Sequence, residues 1–354
     1  MALRWIDLCL AVIASILFFK VIEKESGSIL FSVFTVASLL LVMNDYSIVL
    51  FGFRNSIWAA YAVFFLALLI SQNISKKNQN LFYAIGALAS FGVLLREPFL
   101  IFYIVGVIAI FFNYGWKMLV KYLIGSAILG FTTLFILIHL RGPGGLQTII
   151  ESYIGYVSGM ADITDELLVP NFFKYSLIVI KAYWFGLTLS IVSAIYIVRL
   201  CLVDKKSTIT GRFYFWLALA LVPIIEPSFK LGFDYHFINC LPGLAGISAM
   251  GWKYISLNES KNVKKYVMGG TIILCVFGVY PNLSKTLNIN VYYKDNPVRD
   301  AYNNLWKNSY SEIETIRLSN FLIAADMIKK LSKKDSTLAV AGSAHVIYPL
   351  TGLL

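Results

Sequence analysis

Residues Leu119–Leu140 read LVKYLIGSAILGFTTLFILIHL, an apolar run bracketed by Lys117 and Lys121 on one side and Arg141 on the other. A helix that crosses bilayer hydrocarbon needs roughly 20 apolar residues, with ~17 as the practical minimum. This run meets that length, and similar runs recur along the chain. They lie near 5–20, 28–44, 55–72, 81–95, 98–113, 119–140, 173–199, 213–228, 233–252 and 266–281. The chain is 58% hydrophobic and 14% charged, with a mean hydropathy of +0.74. A water-soluble domain of this length carries more polar surface. The expected fold class is therefore an all-α polytopic membrane protein with about 10 transmembrane helices. Helices are expected because they satisfy their backbone hydrogen bonds within each segment in lipid. A β-barrel would show alternating segments of ~10 residues, which are absent.

The net charge of +11 raises the question of nucleic acid, and its distribution argues against such a partner. Lys76–Lys77, Lys117 with Lys121, Arg199 with Lys205, Lys206 and Arg212, and Lys253 with Lys261, Lys264 and Lys265 fall in short loops of one parity. The positive-inside rule makes those loops cytoplasmic. The loop with Lys20, Glu23, Lys24 and Glu25 shares that parity but is nearly neutral, so it decides little. The opposite loops hold Arg54, Arg96, Arg141, Lys230 and the acidic stretch 151–166. The abundance of Ile, Phe, Tyr, Asn and Lys points to an AT-rich coding sequence and a bacterial surface-polysaccharide setting, hence a bacterial inner membrane. The first run lacks a small-x-small cleavage site and reads as a retained helix rather than a signal peptide. Cys9, Cys201, Cys240 and Cys275 have no metal-ligand spacing and no disulfide framework.

Three regions interrupt the helical pattern. The first is the loop from Asn44 to Arg54, with Asp45 just outside a helix. The second runs from Arg141 to Asn171 and includes an amphipathic stretch, Leu146–Tyr156, suited to lying along the interface. The third is a C-terminal extracytoplasmic segment, 282–354, set apart from the membrane domain, 1–281. It carries a helix candidate at Ile316–Leu331 and an apolar run, Thr337–Gly342, that reads as a buried strand, so a small α/β segment is expected.

Ionisable residues at helix ends supply the candidate chemistry. Asp234-Tyr235-His236 precedes an apolar helix, and His suits proton transfer near neutral pH. An interfacial cap explains the same residues structurally. Arg96-Glu97-Pro98 forms a tight outer hairpin, where Arg96 could bind a lipid phosphate or simply shape the turn. Asp45 can serve as a general base or as a solvated loop residue. Glu226 and Lys230 flank another outer end, where they pair with each other or with substrate. His139 beside Arg141 suits a helix C-terminus, and Asp162, Asp165 and Glu166 read as a solvated cluster. No Walker loop, HExxH, GxSxG or zinc spacing appears. No cofactor is called for, and a divalent metal, though compatible with the carboxylates, is not indicated.

Residues 232–246, GFDYHFINCLPGLAG, resemble bacterial GT-C glycosyltransferases of the protein-mannosyltransferase-like group. In that group an aromatic-His stretch is followed by Leu-Pro and an apolar helix. The segment Ala324–Lys334, then Leu338–Gly342 and Ile347–Gly352, is similar to that group's external C-terminal module, and Leu95–Phe99 to one of its turns. Together these cover about two thirds of the chain. The resemblance implies a lipid-linked sugar donor of the polyprenyl-phosphate type, used on the outer face, and a saccharide or lipid acceptor. It also implies an acidic base in the first external loop and basic groups on the departing phosphate. On this pattern Asp45, Asp234 and His236 are catalytic candidates. Arg96, Glu97, Arg141, Glu226, Lys230 and Tyr235 are substrate-binding candidates.

The chain departs from the family at both ends. The basic loops put Met1 outside, so the first helix runs inward, whereas the family begins with an outward helix and a long Asp-bearing loop. The family also continues beyond Thr351–Leu354. A chain lacking the family's first helix and loop is the expectation, with Asp45 a substitute rather than a match. Two other readings remain. One is an O-antigen-polymerase-like enzyme using polyprenyl-diphosphate glycans through Arg54, Arg96 or Arg141. The other is a non-catalytic transporter or flippase subunit, which calls for paired intramembrane charges or broken helices. Neither feature is visible in the sequence.

Overall fold

The computed structural model describes residues 2–43, 55–74, 78–142, 144, 147, 150–151, 168–204, 207–225, 237–292 and 330. Among them the elements are helical and no strand occurs. The helices are α1 (Ala2–Ser26), α2 (Ile29–Met43), α3 (Asn55–Ser71), α4 (Leu81–Leu95), α5 (Leu100–Tyr114), α6 (Trp116–Arg141), α7 (Leu168–Ala182), α8 (Trp184–Asp204), α9 (Ser207–Leu221), α10 (Leu241–Asn258) and α11 (Lys261–Tyr292). Three 3₁₀ turns accompany them, at Glu97–Phe99, Val222–Ile224 and Ile238–Cys240. The all-α expectation holds for these residues. The expected strand at Thr337–Gly342 lies outside them. Of the helix expected at Ile316–Leu331 only Lys330 is described, and it is helical.

The ten expected spans do not translate into ten long helices. Trp116–Leu140 (25 residues, mean hydropathy 2.1) and Trp184–Leu202 (19 residues, 2.0) are long and apolar enough to cross a bilayer. Ile29–Met43, Ile57–Ser71, Leu81–Leu95, Leu100–Tyr114 and Gly211–Ile224 are apolar but shorter. At 1.5 Å per residue, a 15-residue α-helix reaches only about 22 Å against ~30 Å of hydrocarbon. The run expected as one span at 173–199 is two helices. The chain bends at Tyr183, whose ring occupies the space where a Cβ on Gly186 would sit. The long apolar helix is α8 alone. Upstream, α7 has one half-buried or buried stripe, Phe172, Ser176, Val179 and Ala182, and an outward side bearing Phe173, Leu177, Ile180 and Lys181.

The chain divides into two compact units, Met1–Leu283 and Ser284–Leu354. In the second, the described residues are the last turns of α11 and Lys330. The first unit is organised around α10, in which twelve of 18 residues are buried. A helix buried on that many faces must sit at the centre, and its sequence LPGLAGISAMGW explains how it fits there. A Cβ on Gly243 would collide with the backbone of Leu219 and Ala220 in α9. One on Gly246 would enter the Trp216 ring, and one on Gly251 would strike Ser193 of α8. Ser190 Oγ of α8 lies 2.8 Å from the Leu244 carbonyl and 3.0 Å from Ser248 Oγ. On another side the Phe31 ring of α2 stacks on Trp252 with centroids 5.6 Å apart.

The α4–α6 contact uses the same device. Gly86 and Gly125 leave no room for a side chain against the Tyr122 and Tyr83 carbonyls, respectively. Ser126 Oγ reaches the Gly86 carbonyl at 2.9 Å. Small residues and interhelical hydroxyl bonds are what hold helices together where no water is available to drive apolar association.

Contacts between elements show that successive passes run in alternating directions. Gln72 at the end of α3 reaches Val21 and Glu25 at the end of α1, and Arg212 at the start of α9 reaches Glu25 too. Lys121 bonds Asn80 at 2.9 Å, and Tyr196 bonds Glu259 at 2.9 Å. The described residues that flank the loops of the basic parity thus lie at one end, called inner below. The 96–99, 222–224 and 238–240 turns gather at the other, the outer end. Large apolar side chains remain exposed around the unit, with Phe131 at 71% and Phe135 at 72% on α6, and Ile195, Leu202 and Phe277 elsewhere.

Leucine in place of Gly243 should cost about 3 kcal/mol, the upper end for overpacking, because the obstacle is backbone. Alanine in place of Gly269, which faces open space on α11, should instead stabilise the helix by about 0.5–1 kcal/mol. Denaturant unfolding of the purified variants measures both.

Candidate functional site

The outer end is where the sequence places its chemistry. Arg96 is half-buried and extended, at φ −159° and ψ 119°, so it ends α4. Its N–H donates to the Gly92 carbonyl at 3.0 Å, and its own carbonyl accepts from the Phe99 N–H at 3.0 Å. These bonds close the turn, and Pro98, buried, is the middle residue of the Glu97–Phe99 3₁₀ segment leading into α5. The Phe99 ring then packs edge-on against Tyr61 of α3 at 5.1 Å and against Phe102 at 5.0 Å.

Tyr61 connects this turn to the motif that carries the family resemblance. Its side chain is fully buried, and its hydroxyl donates to Asn239 Oδ1 at 2.7 Å. Asn239 lies three residues after His236, in the 3₁₀ turn that begins α10. That turn packs against Val222–Ile224, which precedes Glu226. Phe237 is held from the other side by Phe172 of α7 at 5.3 Å. The 222–224 and 238–240 turns thus lie beside each other, and Tyr61 links the second of them to the Arg96 turn.

Asp45, Glu226, Lys230, Asp234, Tyr235 and His236 lie outside the described residues. Glu97 and Arg141 have described backbones, in the 97–99 turn and at the end of α6, but their side chains do not fall among the described ones. Arg96 alone of the expected site residues is described in full. His139 is exposed, its ring stacked with Phe135 at 6.5 Å. Of the expected interfacial stretch, Gln147, Ile150 and Glu151 are helical, and Gln147 Nε2 donates to Glu151 Oε1 at 2.7 Å. The Asp162, Asp165 and Glu166 cluster lies outside. Among the described residues no group of three His, Cys, Asp or Glu side chains could hold a metal ion. The four cysteines form no disulfide.

Two features escaped the sequence reading. The first is the Tyr61–Asn239 bond, because Tyr61 reads as one more aromatic in an apolar run. The second is at the inner end. Glu25, in a loop expected to be nearly neutral and to decide little, lies in the last turn of α1 and is 2% exposed. Its carboxylate accepts from Arg212 Nη2 at 2.7 Å and from Gln72 Nε2 at 3.4 Å. Helical spacing could have revealed it: Glu25 continues the buried stripe Ala14, Phe18, Val21 and Ile22. Tyr254, on α10 beyond the 233–252 run, feels both charges. Burial raises its hydroxyl pKa above the ordinary value; Arg212 opposes that shift and Glu25 adds to it.

The chain matches no family model, no curated protein and no solved structure.

Phenylalanine in place of Tyr61 keeps the ring contacts and removes the donor to Asn239. A loss of about 1–2 kcal/mol is expected, read as a lower unfolding midpoint with unchanged helical circular dichroism.

Proposed function

We propose that this chain is a bacterial inner-membrane protein of about ten spans. In this reading it transfers a sugar from a polyprenyl-phosphate donor to a saccharide or lipid acceptor at the outer face, in the manner of GT-C glycosyltransferases. The observation that carries the reading is the Tyr61 junction. It joins the Arg96 turn, through Phe99, to Asn239 at the start of α10, the described stretch that follows the Asp234–His236 motif in the sequence.

The membrane part of the reading draws on the small-residue helix contacts, the exposed apolar side chains and the gathering of basic loops at one end. The 3₁₀ turns also lengthen short helices. At ~2 Å per residue, the turns at Glu97–Phe99 and Val222–Ile224 bring α5 and α9 to about 28 Å, close to hydrocarbon thickness.

In the proposed reaction the acceptor hydroxyl attacks the anomeric carbon of the donor. A carboxylate, Asp45 or Asp234, takes the hydroxyl proton, with His236 the alternative base. The carbon–oxygen bond to phosphate breaks, and polyprenyl phosphate leaves with the electron pair. Arg96, Lys230 and Arg141 would offset its charge, while Glu97, Glu226 and Tyr235 would hold sugar hydroxyls. Positioned bases and cations suffice for this chemistry, so the reading calls for no cofactor and no nucleic-acid partner.

A transporter or flippase subunit gains support from one finding that the sequence did not display, the break between α7 and α8 at Tyr183.

Protein in nanodiscs, given polyprenyl-phosphate sugars, is expected to release polyprenyl phosphate, and Arg96→Ala should lower kcat/KM about a hundredfold. Turnover of polyprenyl-diphosphate oligosaccharides instead would favour a polymerase-like enzyme. Turnover of neither by folded protein, with movement of lipid-linked sugar between leaflets, would favour the transporter reading. For topology, alkaline phosphatase fused after Tyr46 should be active and after Lys77 inactive; the reverse pattern would overturn the sidedness.

A further inference from the structure

The inner end contains a polar assembly that the proposed chemistry does not use. Glu25 occupies the last turn of α1 and is 2% exposed. Arg212 comes from the second turn of α9, Gln72 from the turn after α3, and Tyr254 from α10. Segments from α9 and from the turn after α3 therefore meet at a carboxylate on α1, and Tyr254 of α10 lies near enough to feel its charge. Gln72 Nε2 also reaches the Val21 carbonyl at 3.3 Å, which ties the α3 end to α1 twice. Nearby, Lys24 bonds Asn73, again joining α1 to the α3 end.

The two halves of the pair differ in setting. Glu25 is buried, whereas the Arg212 side chain is 46% exposed. A buried carboxylate is costly without a partner. An arginine at the edge stays well solvated when it swings out, so it is the half able to move. Gly211, beside it, lies against the end of the Asn113 side chain, which places the start of α9 next to the end of α5.

We propose that Glu25, Arg212 and Gln72 form an inner latch that holds the start of α9 against the ends of α1 and α3 and keeps the inner end of the bundle closed. Its closed state is stabilised by the charge-assisted bond from Arg212 Nη2 to Glu25 Oε2 at 2.7 Å. Its open state releases the first turns of α9 and the last turn of α1 while the centre, around α10, stays packed. The latch does not depend on the glycosyltransferase reading. It would keep an outward-facing enzyme sealed on its inner side, and it would gate the inner side of a transporter.

Amide hydrogen exchange of the full chain in nanodiscs tests this. Arg212→Met is expected to speed exchange in residues 19–26 and 207–215 at least tenfold, with residues 241–250 within twofold of wild type. Arg212→Lys, which keeps the charge but not the planar guanidinium, should fall between. Glu25→Gln leaves no lone buried charge and so folds readily; it should raise exchange in the same two stretches about threefold or more. Equal exchange in wild type and Glu25→Gln, or an Arg212→Met increase spread evenly through α10, would overturn the latch.

Discussion

Everything in the first unit leans on the closeness of α10 to its neighbours. Gly243 admits the backbone of α9 and Gly246 the Trp216 ring, while Gly251 admits Ser193 of α8. The hydroxyls of Ser190 and Ser248 then meet across the same contact. Close approach multiplies dispersion contacts, and it permits short hydroxyl bonds that long side chains would block. Because α10 touches α1, α2, α8 and α9, any side chain added at these glycines would push several helices apart together. The outer 3₁₀ turn and the inner Tyr254 are the two ends of this element, so its placement sets the geometry at both faces.

The two ends use polar groups differently. At the outer end a neutral bond, Tyr61 to Asn239, sits in a cage of Phe18, Phe65 and Phe99 and needs no charge to be satisfied. At the inner end a buried carboxylate depends on a cation from another helix. Losing a neutral donor costs roughly 1–3 kcal/mol, whereas stranding a buried charge costs roughly 3–5 kcal/mol. The outer junction therefore suits a rigid support beneath a site, and the inner pair suits an element with two states.

How far the sequence could be read varied with the kind of interaction. Apolar runs marked the helices well, since burial from water follows composition. Their ends were less legible: α1 extends to Ser26 and takes Glu25 into the core, α11 runs on to Tyr292, and the 173–199 run breaks at Tyr183. Those outcomes depend on what each segment packs against. The same limit applies to the candidate site. Arg96 was visible as a charge in a turn, but Tyr61 gained a role only through Asn239, which is 178 residues away in the chain.

The sequence by itself determined the helical character of the described residues and the positions of their apolar runs, because these depend on local hydrophobicity along a chain. Only the tertiary structure decided which helix is central, which polar groups are partnered and which short helices are lengthened by 3₁₀ turns. The physical reason is that α10 becomes central by packing against four other helices, most closely against the backbone of α9. Glycine and serine permit that contact, but their presence in a run does not say which helix will use them.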